Sequence, residues 1–317
     1  MNKNTIIEAP NILCIYREMY MYDTYEMLSN INRSNDTTNS NTTVIIDLSK
    51  IETITAAAAL LLFATINSLQ ISAINPNKFI FKFPKLKDNI TGYNSIMRSG
   101  LSKALLASTH NKREELINNN NPFQTAIDPE SHRISTFTML TKEALLSSDK
   151  LYILMTAISE AMLNVNNHAY KNIDPQKTKE IHPTLKNFVT SVGGERWWQC
   201  AWHNPIKKSW VFIICDLGLG ITATYNSITK NDFLSISPAN CLSEAFTQGK
   251  SRFINSGRGN GSQDMINAVK CGCKETLLVY SGGAKYSFSS ETGKARCVNL
   301  GSHFKGTLIE WTLNEND

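Results

Sequence analysis

Leu151–Tyr170 reads LYILMTAISEAMLNVNNHAY, twenty residues without proline or glycine and with apolar positions at helical spacing. With Glu160 at the origin of a wheel turning about 100° per residue, Asn164 falls at about 40° and His168 at about 80°. Leu154, Ile158, Ala161, Met162 and Val165 occupy about 100° to 200°, the stripe by which such a helix packs. A carboxylate, an amide and an imidazole therefore share one face. Two readings fit: the wet side of an amphipathic helix, or the wall of a site. What the chain places after this helix decides between them.

Three further segments follow it. ICDLGLGI (214–221) is the end of a strand running from Trp210 to Cys215, then Asp216, Gly218 and Gly220. Gly257-Arg258-Gly259-Asn260-Gly261 leads into the helical segment SQDMINAVK, and Gly306-Thr307-Leu308-Ile309-Glu310-Trp311 reads as a closing strand. A carboxylate at the end of a buried strand, beside glycines that admit close backbone approach, can accept the exocyclic amine of adenine. Glycines ahead of a helix N-terminus offer N–H groups to phosphate oxygens. The Asn164 amide oxygen can complete the shell of a Mg²⁺ ion otherwise held by phosphates and water. Glu160, one turn earlier, can orient and deprotonate a nucleophile. Each glycine motif alone is weak, since most such turns serve only as turns.

Taken together and in this order, the four segments resemble the GHKL or Bergerat-fold ATPases, most closely the anti-sigma-factor serine kinases. Their first motif, E-x-x-x-N-x-x-x-H-G-Y, is matched by Glu160, Asn164, His168, Ala169 and Tyr170. The resemblance implies ATP and Mg²⁺ as cofactors, Glu160 as general base and Asn164 as the Mg²⁺ ligand. It further implies Asp216 as adenine partner, Gly218 and Gly220 as the turn beneath the nucleotide, and Gly257, Gly259 and Gly261 along the phosphates. Thr307 would help hold adenine through water. The sequence departs from the pattern at Ala169, where glycine is usual, at Ser262, where leucine is common, and over residues 171–196, which read as an insertion. Lys250, Arg252 and Arg258 flank the glycine loop, where cations would offset phosphate charge. Of these Arg258 is the best placed, within the motif itself, and His168 reads as ending its helix.

Ahead of these segments, NILCIYR (11–17) reads as a first strand, 23–32 as a helix, TVIIDLS (43–49) as a buried strand, and the chain after Thr55 as a helix. NPNKFIFKFP (75–84) is a further strand and GYNSIMRSGLSKALLA (92–107) an amphipathic helix, so the fold class is α/β with an open N-terminal domain. VIIDLSKIETITAAAALLLF resembles the signature of STAS domains, the anti-sigma-factor antagonist fold. In that family a turn reading Asp-Ser-Ser-Gly supplies a phosphate-accepting serine; here Thr55, Ala56, Ala57 and Ala58 stand there, which implies a docking module. We expect a STAS-like domain over 1–106, a linker over 107–135 with RISTFTML (133–140) as an extended segment, and an ATPase domain over 136–317. The second domain would be a Bergerat-fold sandwich, a mixed sheet with helices on one face.

Charge is spread evenly: ten Lys and Arg against eight Asp and Glu in residues 1–106, and twenty-two against nineteen in 107–317. Neither part carries the basic excess that argues for nucleic acid. The longest apolar run, Ile54–Ile66, is shorter than the roughly 20 residues of a membrane span. The N-terminus lacks the apolar core of a signal peptide, so a cytoplasmic location is expected. Seven unclustered cysteines suit reduced thiols. The Cys271/Cys273 pair, with no second ligand pair at zinc spacing, reads as small buried residues.

Three activities remain: a regulatory ATPase switch controlling a protein partner, a serine/threonine kinase acting on a separate protein, and a module that holds ATP without turnover. The missing acceptor serine favours the switch. A sensor histidine kinase needs a His followed by an acidic residue, and His110 and His132 precede Asn111 and Arg133. A clamp ATPase needs a further domain after the closing strand. The kinases it resembles commonly dimerise, which implies a homodimer.

Overall fold

The computed structural model describes residues 4–34, 43–143, 146–174, 176–204, 207–226, 236–247, 261–270 and 272–315. The chain divides into two compact units, Met1–Thr125 with Trp198–Cys200, and Ala126–Trp197 with Ala201–Asp317. Both mix helices and strands, as the α/β reading expects.

The N-terminal unit is built on a parallel three-stranded sheet of β1 (Asn4–Glu8), β3 (Thr43–Asp47) and β5 (Phe79–Lys82), in that order. A small parallel pair, β2 (Ile12–Leu13) and β4 (Thr53–Ile54), lies apart from it. The first strand is thus Asn4–Glu8, and of NILCIYR only Ile12 and Leu13 are strand. NTIIE has no polar/apolar alternation to mark it: of its two adjacent isoleucines only Ile7 is buried and Ile6 is exposed. Helix α1 (Glu18–Arg33) follows β2, and α2 (Ala56–Ser72) follows β4. Helix α2 is apolar on every side, the pattern of a helix enclosed in a core, and residues 56–68 are all buried. Two of its buried amides donate to backbone: Asn67 Nδ2 to the Ala107 carbonyl at 3.3 Å, and Gln70 Nε2 to the Leu105 carbonyl at 2.8 Å.

The helix expected over 92–107 is broken. A short α3 (Ile90–Tyr93) widens into a π turn over Asn94–Arg98, and α4 (Leu101–Leu105) starts after Gly100, whose φ of 84° is left-handed. The segment read as a linker is also folded. It contains α5 (His110–Asn118), capped by Thr109, then β6 (Phe123–Ala126) and the start of α6 (Pro129–Glu143). RISTFTML belongs to α6. Its β-branched residues suggested an extended chain, but His132, Thr136, Met139 and Leu140 are buried at helical spacing, and packing overrides propensity.

After α6 come α7 (Ser148–Asn164), α8 (Lys186–Ser191), β7 (Trp197–Asn204), β8 (Ser209–Asp216), α9 (Ile221–Asn226), α10 (Pro238–Ala245) and α11 (Gly261–Lys270). The long β9 (Thr276–Ser289) and β10 (Lys294–Asn314) close the chain. The sheet runs β6-β7-β8-β10-β9, with β10 antiparallel to both its neighbours. Only Gly306–Trp311 was legible as strand because the first half of β10, KARCVNLGSHFK, carries little apolar alternation. Trp197, Phe212, Val279 and Trp311 fill the core with Ile158, Met162 and Val269 from α7 and α11. Among the described residues no helix is long and apolar enough to cross a membrane.

Candidate functional site

Helix α7 begins at a serine cap, Ser147 Oγ accepting the Lys150 N–H at 3.3 Å, and buries Leu154, Ile158, Ala161 and Met162 as its pattern requires. Glu160 and Asn164 lie one turn apart, both half-buried. Beyond Asn164 the helix widens into a π turn, Val165–Ala169. Its hydrogen bonds skip one residue more than α bonds do, so the 100° wheel stops applying there and does not fix the direction of His168. The one-face reading therefore holds for Glu160 and Asn164. His168 is half-buried, and its carbonyl accepts the Lys171 N–H at 3.3 Å.

The π turn brings the end of the helix onto the glycine turn after β8. The Ala169 carbonyl accepts the Leu219 N–H at 2.8 Å. A Cβ at Gly218 would lie 2.1 Å from that same oxygen, so the approach requires glycine. Next to it, the buried Tyr170 hydroxyl accepts the Leu217 N–H at 3.2 Å and donates to the Arg196 carbonyl at 2.5 Å. Burial, and then the Asp216 charge, push this phenol well above its ordinary range.

Asp216 ends β8 with 4% of its surface exposed. Its carboxylate accepts the Gly218 N–H at 2.8 Å and the Thr307 N–H. Those two donors favour the ionised form, but burial outweighs them and raises the carboxyl to about 7. Thr307 is the cross-strand partner of Asp216 on one side and of Ser281 on the other. The three side chains form one row across β8, β10 and β9. The chain bulges at this point: Gly306 has φ of 76°, and a Cβ there would lie 2.1 Å from the Asp216 carbonyl oxygen.

Ser281, which the sequence reading did not single out, is fully buried. Its Oγ accepts the Ile221 N–H at 2.7 Å and lies 3.2 Å from the Gly306 carbonyl and 3.3 Å from Thr307 Oγ1. It binds the residue after Gly220 to the bulge. The available signal was a serine directly after the apolar run TLLVY and ahead of Gly282-Gly283.

On the other side of the helix, α11 packs along α7 and is fixed by Trp311 Nε1 donating to the Met265 carbonyl at 2.9 Å. Its first residue, Gly261, sits against Glu160, where a Cβ would lie 2.2 Å from the carboxylate. Gly261 and Glu160 are therefore brought together, as are Asp216, Gly218, Gly220 and Thr307. Gly257, Arg258, Gly259, Lys250 and Arg252 lie outside the described residues. Cys273 is exposed, against the expectation of a small buried residue, and Cys271 lies outside the described residues.

Residues 171–196 form a folded excursion. Lys171 bridges to Ile181, the Asn172 N–H donates to the Glu180 carbonyl, and Lys171 pairs with Glu195. Phe188 of α8 stacks on Tyr170 at 6.3 Å between ring centres, and Lys305 Nζ stands 4.9 Å from the centre of the Phe188 ring. Among the described residues there is no group of three His, Cys, Asp or Glu side chains suited to a metal. A hard cation carried in by a polyphosphate needs fewer protein ligands than that, and a half-buried amide oxygen such as that of Asn164 is a suitable one. No protein-family model matches the chain, and no curated protein matches it.

Proposed function

We propose that the C-terminal unit binds Mg-ATP as a regulatory ATPase of the GHKL type and that the nucleotide state controls a protein partner. The observation that carries this reading is the buried Asp216 carboxylate, presented beside Thr307 between two glycine turns and held from behind by backbone N–H groups. A lone buried carboxylate is costly, and a site that uses it as an acceptor for a purine amine gives that cost a function. Glu160 lies one helical turn from Asn164 and against Gly261, the order needed for a base, an amide ligand and a phosphate loop. Asn164 would hold Mg²⁺, which supplies charge neutralisation at the phosphates. Glu160 would take the proton of the attacking water or hydroxyl.

In this reading the N-terminal unit is a STAS-like docking module. Ala56, Ala57 and Ala58, at the start of α2, are buried and carry no hydroxyl, which supports a switch over phosphotransfer within the chain. Two variants test the reading. Asp216→Asn is expected to abolish ATP binding by calorimetry, and unchanged affinity would remove the site assignment. Glu160→Ala is expected to keep ATP and lose phosphate release from ATP labelled at the terminal phosphate. Undiminished release would exclude Glu160 as base, and label on a second protein would replace the switch by a kinase.

A further inference from the structure

Ser281 touches no solvent, so its one donor and two acceptor positions find partners only inside the protein. It has three neighbours. The Ile221 N–H can only donate to it, and the Gly306 carbonyl can only accept from it. Once the Ser281 proton goes to Gly306, the contact with Thr307 is satisfied only if the Thr307 hydroxyl donates. In that arrangement Ser281 makes one donation and two acceptances, its full complement. The Thr307 proton is then turned away from Asp216, and its oxygen offers only lone pairs on the face where the Asp216 carboxylate also accepts.

We propose that Ser281 is a specificity-determining residue, which makes the Asp216–Thr307 edge acceptor-only and so selects 6-amino over 6-oxo purine nucleotides. This rests on the nucleotide reading of the site and adds how the base is chosen. An exocyclic amine has two N–H groups for two acceptors, Thr307 here accepting directly and not through the water that the resemblance implies. The 6-oxo group of an inosine nucleotide faces the same two acceptors with lone pairs of its own and is repelled. Ser281 does this without touching the base; it acts by holding the Thr307 proton. Without Ser281, the Thr307 hydroxyl is free to rotate and to donate to a 6-oxo group.

The test is calorimetry of ATP and ITP, each with Mg²⁺ at pH 8, on the full chain and on Ser281→Ala. The wild type is expected to prefer ATP, and Ser281→Ala to narrow that preference about tenfold, chiefly by tighter ITP binding. A purely structural role would weaken both nucleotides by the same factor, and an unchanged ATP/ITP ratio overturns the proposal while leaving the nucleotide site intact. A wild type that binds neither nucleotide overturns both readings. Should Ser281→Ala fail to fold, Thr307→Val serves instead. It removes one acceptor and is expected to weaken ATP while relieving the repulsion of ITP; equal effects on the two overturn the proposal.

Discussion

At the scale of single residues, Asp216 is where folding and the proposed chemistry oppose each other. Its carboxyl is raised from 3.8 to about 7. Between those values the folded chain holds a proton that the unfolded chain has released. The stability this gives is present in full below pH 3.8 and is lost as pH rises through about 7, a change on the order of 4 kcal/mol at most. Urea unfolding of wild type and Asp216→Asn across pH 4 to 8 is expected to show the wild type falling relative to the variant. A constant difference would mean that the carboxyl is not raised. The ionised form is the acceptor, so ATP affinity is expected to increase from pH 6 to pH 8 in calorimetry, opposite to the trend in stability. Asp216 itself stood out in the sequence only in company: its glycine turn alone is a weak signal, and the order of the four segments singled it out. Ser281 did not, because its role depends on the register of β9 against β10.

At the scale of elements, the pairing of α7 with α11 sets the position of Glu160. A methyl at Gly261 would meet the Glu160 carboxylate at 2.2 Å and its Cγ at 2.8 Å. The Glu160 side chain has to swing aside to make room. Gly261→Ala is therefore expected to retain a near-wild-type melting temperature while losing most phosphate release, as Glu160→Ala does. Undiminished release would show that Glu160 keeps its task from another rotamer. The apolar stripe of α7 was legible because it repeats at the helical period through Met162 and is buried there. The direction of His168 was not, because hydrogen-bond pattern rather than composition turns the helix from α to π after Asn164. RISTFTML is the converse case. Its local preference is for strand, and the burial of His132 and Met139 in the folded chain decides for helix.

At the scale of the whole molecule, Trp198–Cys200 clusters with the N-terminal unit although it lies more than seventy residues further along the chain. Trp198 Nε1 donates to Asn67 Oδ1 at 3.0 Å, and both side chains are fully buried. Asn67→Leu strands that indole N–H and also the Ala107 carbonyl, and each is expected to cost about 1–3 kcal/mol in urea unfolding. Adding Trp198→His would introduce a new polar group, whereas Trp198→Phe removes the stranded donor; the double variant Asn67→Leu/Trp198→Phe is expected to recover part of the donor penalty. Additive losses would mean that the bond contributes nothing by itself. What the sequence by itself determined is the α/β class, the apolar stripe of α7, the helix after Thr55, and the candidates Glu160, Asn164, Asp216 and the glycines around them. These follow from local periodicity and from residue types that tolerate few alternatives. Only the tertiary structure decided that 107–135 is folded and that Trp198–Cys200 belongs with the first unit. It also decided that Ser281 stands in one row with Thr307 and Asp216. Each of these depends on which distant segments are paired, and strand register and close backbone approach leave no periodic trace in the chain.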